Sequence, residues 1–366
     1  MNARLRPLLR PFLCSLLVSL LTACGGGGGG NDSWNSGGSD DSDDVGSFGG
    51  SVSIEKRISA AEATAASNSA CTAIEPFYWE IGDRSDRITG NSEGDGSVLA
   101  STDMKIASAS KWIFGAYVLE KRGNVPTDED IKALTMRTGY SNFRYGLCIE
   151  GTEVQQDTLT VLQCFEKSAS GGANDDLVTE DDGKFSYNGG HFQHWATQNG
   201  LEDEINSSLA IELGDQFGNA FQLDFDSPQL AGGMYMNALN YAFFLRSILS
   251  DDLYMHDRLG TEAVCTSPAV CPDTATYTPI PDDEAWHYSL GHWVEDDPVV
   301  GDGAFSSPGY FGFYPWIDAN RKWYGIVARG VEPGNLLEFL FGDTAMESVA
   351  CGRKIRKAWL SGQQQN

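Results

Sequence analysis

From Ser108 to Leu119 the chain runs through twelve residues with a single charge, Lys111, and then closes on Glu120-Lys121-Arg122-Gly123. Apolar residues on every face mark a helix buried in a large core, and the cations and glycine that follow are a helix stop. A serine cap beside a surface lysine would be the ordinary reading of Ser-x-x-Lys, but a surface lysine has charged neighbours on its own face and this one has none. Ser108 stands three positions before Lys111, and residues three apart share a helix face. Burial strips an amine of the water that stabilises its charged form and lowers its pKa. A neutral Lys111 accepts the Ser108 proton, and a helix N-terminus favours the negative charge that develops. Ser108 is therefore the expected nucleophile and Lys111 its base. Ser110 is a rival hydroxyl, but its place directly beside Lys111 turns it to a different face.

The rest of the body predicts an α+β fold. Near the start, Phe77 to Ile81 reads as a strand ending in a Gly82-Asp83 turn, with Ser97 to Ser101 as its hairpin mate. Near the end come Tyr288 to Glu295, Tyr310 to Asp318 and Trp323 to Arg329, the last two flanking a turn at Asp318-Ala319-Asn320-Arg321. Met234 to Leu249 carries a long apolar helical face, and Glu338 to Leu360 reads as an amphipathic closing helix. Early and late strands with helices between them predict one antiparallel sheet flanked by helices, with an inserted helical lobe and a cleft where the two meet.

The N-terminus stands apart from this core. Arg4, Arg6 and Arg10 precede an apolar run from Phe12 to Leu21, too short to be a permanent membrane span and arranged like a secretory signal. Leu21-Thr22-Ala23-Cys24 resembles the lipobox of bacterial lipoproteins, which implies cleavage before Cys24 and its lipidation; an ordinary signal with an incidental cysteine is the competing reading. The glycines after Cys24 and the Asp-, Ser- and Gly-rich stretch to about Gly50 have nothing to bury and read as a tether. The expected layout is a signal at 1–23, a lipidated cysteine and tether at 24–52, and a hydrolase domain at 53–362. The expected location is outside the cytoplasm, on a bacterial membrane, held by the lipid alone.

Loss of three signal arginines would move the formal charge from −26 to about −29. Such acidity argues against a nucleic-acid partner, whose phosphates call for clustered cations. Six cysteines remain after Cys14 and Cys24, an even number that favours disulfides in an exported chain. They allow fifteen pairings. A short loop from Cys265 to Cys271, a medium one from Cys148 to Cys164, and a tie between Cys71 and Cys351 rank first. The absence of Cys-x-x-Cys spacing argues against zinc, and His191 with His194, three apart on one expected helix, lack an evident third ligand. No metal or other cofactor is expected. No Gly-x-Ser-x-Gly elbow supports a Ser-His-Asp hydrolase. Trp112, Trp195, Trp286 and Trp293 are expected in the core.

Ile106-Ala107-Ser108-Ala109-Ser110-Lys111 resembles the nucleophile segment of class C β-lactamases, penicillin-binding proteins and related esterases. Ala231-Gly232-Gly233 resembles the glycine turn of that superfamily, and Tyr288-Ser289-Leu290-Gly291 the strand that returns to its sheet. The resemblance implies the β-lactamase/transpeptidase-like fold and a serine hydrolase acting through an acyl-enzyme on a small ester, amide or peptide. It also implies a tyrosine in the helical lobe. Tyr140-Ser141-Asn142 matches the literal Tyr-x-Asn, but Tyr187 has the better context, between Phe185 and Gly189-Gly190, and lies 79 residues after Ser108. Tyr187 is the expected proton-exchanging residue, with Asn188 supplying the contact that Gly189 lacks. The third element of the superfamily, a cation-Thr-Gly on an edge strand, stands here as Ser307-Pro308-Gly309, with Ser307 and Gly309 expected at the substrate. The missing cation favours esters and neutral amides over carboxylate-bearing β-lactams. Ser108 and Tyr310 are implied as the backbone N–H pair of an oxyanion hole. A binding protein of the same fold without turnover, and a peptidoglycan D-amino-acid peptidase, are the alternatives.

Overall fold

The computed structural model describes residues 52–148, 158–170, 172–331 and 343–366. The expected signal, Cys24 and nearly all of the tether lie outside the described residues. The body is organised by an antiparallel sheet of eight strands. From one edge to the other these are Arg87–Glu93, Phe77–Gly82, Tyr324–Ala328, Tyr314–Ile317, Ala304–Ser306, Trp293–Glu295, His287–Tyr288 and Val264–Cys265. Early and late segments meet at the centre, where Trp79 pairs with Val327 and Tyr314 pairs with the same valine from the other side.

Several expected elements shift. The hairpin mate of Phe77–Gly82 is Arg87–Glu93, not Ser97 to Ser101. As an edge strand it buries little beyond Thr89, so its sequence shows no apolar alternation. Residues 97–102 instead form a turn closed by the Thr102 N–H on the Leu99 carbonyl. The expected Tyr288 to Glu295 strand is split by a turn at Gly291, whose φ is +82°. The strand expected from Tyr310 begins only at Tyr314, because Gly309 and Gly312 turn the chain first, and Ala304–Ser306 before it went unread. Met234–Met236 is a strand, and its helix starts at Ala238 because Asn237 caps the Asn240 N–H. The closing helix spans Thr344–Ser361 within the described residues.

Helices cover both faces of the sheet. Tyr314 meets Arg356 of the closing helix, whereas Tyr324 meets Arg246 of the Ala238–Leu249 helix. Tyr324 is three residues from Val327, the partner of Tyr314, so side-chain alternation puts the two tyrosines on opposite faces. The closing helix also holds the first helix, Ile54–Ser67: Arg57 donates to the carbonyls of Trp359 and Leu360, and Cys71 is bonded to Cys351. Cys148–Cys164 and Cys265–Cys271 are bonded as well, which completes the three pairs ranked first from loop length.

On the second face the Ser110–Lys121 helix lies so close to the Gly291 turn that each side requires a glycine. A Cβ on Gly115 would stand 2.5 Å from the Leu290 carbonyl, and one on Gly291 would stand 2.5 Å from the Lys111 carbonyl. All four tryptophans expected in the core are buried there.

The charged anchor of the closing helix is itself buried. Arg356 reaches Glu295 at 2.8 Å and Asp302 at 2.7 Å, and Arg353 joins Glu295 at 2.9 Å and Glu284 at 2.9 Å. Burial alone would raise the Glu295 carboxyl, but the two guanidinium groups hold it at about 2, below its usual 4.5. That contribution to stability is full above pH 4.5 and drains as pH falls towards 2. Arg356→Ala leaves a buried carboxylate short of its main partner and is expected to cost about 3–5 kcal/mol in denaturant unfolding. An unchanged midpoint would contradict this role.

Candidate active site

Ser108 occupies a 3-10 turn, Ala107–Ala109, that leads directly into the Ser110–Lys121 helix. The turn is entered through Ala107 at φ +44°, a left-handed conformation that costs an alanine on the order of 1–2 kcal/mol. Surrounding bonds hold it there. Ser110 Oγ donates to the Ala107 carbonyl at 2.6 Å and accepts the Met234 N–H at 3.3 Å, and Tyr241 donates to the Ala109 carbonyl at 2.9 Å. The rival hydroxyl, Ser110, thus serves to hold the turn.

Lys111 is buried, with 5% of its surface exposed. Its Nζ lies 2.9 Å from Ser108 Oγ and donates to the Ala231 carbonyl at 2.7 Å. Burial pushes this amine down to about 7, from an ordinary 10.5. Near neutral pH a large fraction carries a free lone pair beside the serine.

Tyr187 is the tyrosine that meets the nucleophile. Its hydroxyl interacts with the Ser108 side chain, and Lys111 Nζ stands 4.8 Å from its ring centre. Trp293 stacks on that ring at 5.2 Å. Burial pushes the phenol up to about 12, so it stays protonated at neutral pH. Tyr140 is elsewhere, stacked on His194 at 3.9 Å and packed against Phe165. His191 is occupied in supporting the tyrosine segment. Its Nδ1 accepts the Thr138 N–H and its Nε2 bonds the carbonyl of Ser186, the residue before Tyr187.

Two residues expected to touch substrate are engaged with protein instead. Ser307 is buried and its Oγ donates to the Ser108 carbonyl at 2.9 Å, so it fixes the nucleophile's backbone. Asn188 donates to the Phe143 carbonyl at 3.2 Å and accepts the Gly190 N–H at 2.9 Å, joining the wall of the cleft to the following helix. Both therefore fix backbone around Ser108, while Ser307 Oγ and the Asn188 amide each keep capacity for a further hydrogen bond. Gly309 brings the sheet against the nucleophile: a Cβ there would stand 2.1 Å from the Ile106 carbonyl.

Ser108 and Lys111 open into a cavity of about 240 Å³. Ala107, Phe143, Tyr145, Ala231, Tyr310 and Phe311 give it an apolar wall, with Gln229 as a further polar residue. Lys111 is the sole charged side chain among its described lining residues. Phe143, Tyr145, Gln229 and Phe311 were not singled out from the sequence. They come from three separate segments, Phe143 and Tyr145 from one and Gln229 and Phe311 from two others, and no spacing relates them to Ser108. The one group of His, Asp or Glu close enough to hold a metal among the described residues is Asp251, His256 and Asp257, none of which lines this cavity.

No protein-family model matches the chain, and no curated protein matches it in sequence. Solved structures match it in three dimensions. EstCE1, a hydrolase with promiscuous acyltransferase activity, superposes at a TM-score of 0.53 with 10% identity, over 81% of this chain and 98% of its own. A candidate β-lactamase from Bacteroides dorei DSM 17855 gives 0.51 with 16% identity, over 79% and 95%. The octameric penicillin-binding protein homologue from Pyrococcus abyssi gives 0.51 with 12% identity, over 79% and 74%. The fold is that of the β-lactamases and penicillin-binding proteins.

The two tyrosines make a direct comparison. Tyr187→Phe is expected to lower kcat for ester hydrolysis by about 10²–10⁴-fold, the range for losing a positioned proton donor. Tyr140→Phe is expected to leave kcat within a few-fold. Steady-state kinetics of the two purified variants check this, and the reverse ranking would contradict the assignment.

Proposed function

We propose that the chain is a serine hydrolase that works through an acyl-enzyme on small, uncharged, largely apolar esters or amides. The contact that carries this reading is the buried Lys111 amine 2.9 Å from Ser108 Oγ, facing an apolar cavity. Neutral Lys111 takes the Ser108 proton as Oγ bonds to the substrate carbonyl carbon. The carbonyl π pair moves onto oxygen, and the backbone N–H groups of Ser108 and Tyr310 are the proposed donors to that oxyanion. As the intermediate collapses, the leaving oxygen or nitrogen departs with a proton delivered from Lys111 through the Tyr187 phenol. Water then attacks the acyl-serine with the same groups in reversed roles.

The lining favours uncharged substrates. A buried Lys111 at the nucleophile is committed to Ser108 and the Ala231 carbonyl, and no other cation among the described lining residues would receive a carboxylate. This argues against a stem-peptide peptidase. Binding without turnover drew its motive from Ser307 and Gly189, but Ser307 holds the nucleophile's carbonyl and the Ser-Lys-Tyr constellation is intact. Three disulfides fit an oxidising compartment, and we place the enzyme outside the cytoplasm, anchored through a lipidated Cys24.

A fluorophosphonate probe applied to cells expressing the full chain tests both parts. Labelling is expected in the membrane fraction, absent in Ser108→Ala, and shifted to the soluble fraction in Cys24→Ala. Labelling that survives Ser108→Ala would overturn the nucleophile, and Cys24→Ala retained on the membrane would overturn the anchor.

A further inference from the structure

Gln229 is the polar group in the cavity that the mechanism does not use. It is only 2% exposed and lines the same space as Ser108 and Lys111. Its backbone is fixed: its N–H donates to the Ser227 carbonyl at 2.7 Å, and its own carbonyl accepts the Gly233 N–H at 2.8 Å. Its side chain has one orientation. Nε2 donates to the Tyr145 carbonyl at 3.3 Å and to Ser227 Oγ at 3.0 Å. Turning the amide over would set two oxygens against each other at Tyr145, so Oε1 is held pointing away from that carbonyl. No described donor reaches Oε1, and it is not among the sealed, unpartnered polar atoms, which leaves it open to the cavity. A buried amide oxygen in an apolar space costs free energy until a donor reaches it.

We propose that Gln229 Oε1 is a specificity-determining acceptor, and that the substrate carries an N–H or O–H donor placed to meet it. This rests on the acyl-enzyme reading and narrows it. The substrate class becomes an uncharged ester or amide with one hydrogen-bond donor inside the cavity, on either the acyl or the leaving-group side. A side-chain amide serves this purpose because it recognises a donor without adding a charge that the apolar walls would penalise.

Two matched ester pairs separate the possibilities. On the acyl side, p-nitrophenyl N-acetylglycinate carries an N–H where p-nitrophenyl 4-oxopentanoate carries a methylene. On the leaving-group side, 4-acetamidophenyl butyrate is paired with 4-(2-oxopropyl)phenyl butyrate, again N–H against methylene. The parent enzyme is expected to prefer the donor-bearing member of one pair by roughly three- to tenfold in kcat/KM, the effect of one neutral hydrogen bond. Gln229→Met, close in shape and lacking the acceptor, is expected to abolish the preference, so that the two members of each pair are hydrolysed with equal kcat/KM. Fluorophosphonate labelling of Ser108 in Gln229→Met shows that its site is formed. Equal turnover within both pairs, or a preference that persists in Gln229→Met, overturns this inference alone. Absence of both turnover and Ser108 labelling in the parent overturns the acyl-enzyme reading with it.

Discussion

The proposed chemistry depends on holding an amine out of water beside a hydroxyl. Lys111 would be protonated in solvent and useless as a base. With 5% of its surface exposed, and with the Ala231 carbonyl and Ser108 Oγ at its nitrogen among the described residues, it loses the hydration that favours the ammonium form. The cost is charged to folding, since the unfolded chain binds a proton that the native state resists between about pH 7 and 10.5. Stability therefore rises with pH across that window as the unfolded state gives up its advantage.

Much of the architecture around the site maintains that arrangement. The Gly115–Gly291 contact presses the Ser110–Lys121 helix onto the sheet, and Gly309 brings the turn after the interior strand Ala304–Ser306 against Ile106. Ser307 and Ser110 spend their hydroxyls on the backbone of the turn that carries Ser108. Further out, the Arg356–Glu295 pair ties the closing helix to the sheet that supports the whole assembly. The aromatic wall is built differently. Phe143 belongs to a small cluster apart from the main core, with Phe165 and the Cys148–Cys164 disulfide. A cleft wall borne by a satellite cluster can change its shape without disturbing the machinery that activates the serine, which suits a fold that serves many substrates.

What could be read from sequence was whatever a local pattern records. The single lysine in an apolar run marked a buried amine, because burial is written in its neighbours. The three disulfides are the pairs ranked first among the fifteen possible pairings, and the central strands followed from apolar composition. Edge strand Arg87–Glu93 was invisible because an edge need not alternate, and the Gly309–Phe313 turn hid where a strand began. Tyr187 was chosen over Tyr140 on context, and its ring lies 4.8 Å from Lys111 Nζ whereas Tyr140 stacks on His194. Asn188 and Ser307 were given substrate contacts by analogy, whereas their hydrogen bonds go to the protein itself. Gln229 and Phe143 had no signal, since a cavity assembled from distant loops leaves no spacing to find.

The central claim is that Lys111 is neutral near physiological pH and hydrogen-bonded to Ser108. Nitrogen NMR of the full chain with labelled lysine side chains, followed as a pH titration, reads that state directly. One Nζ resonance is expected to titrate near 7 and to vanish in Lys111→Met. If that resonance titrates instead near the ordinary lysine value of about 10.4, Lys111 is an ammonium ion at neutral pH and cannot be the base.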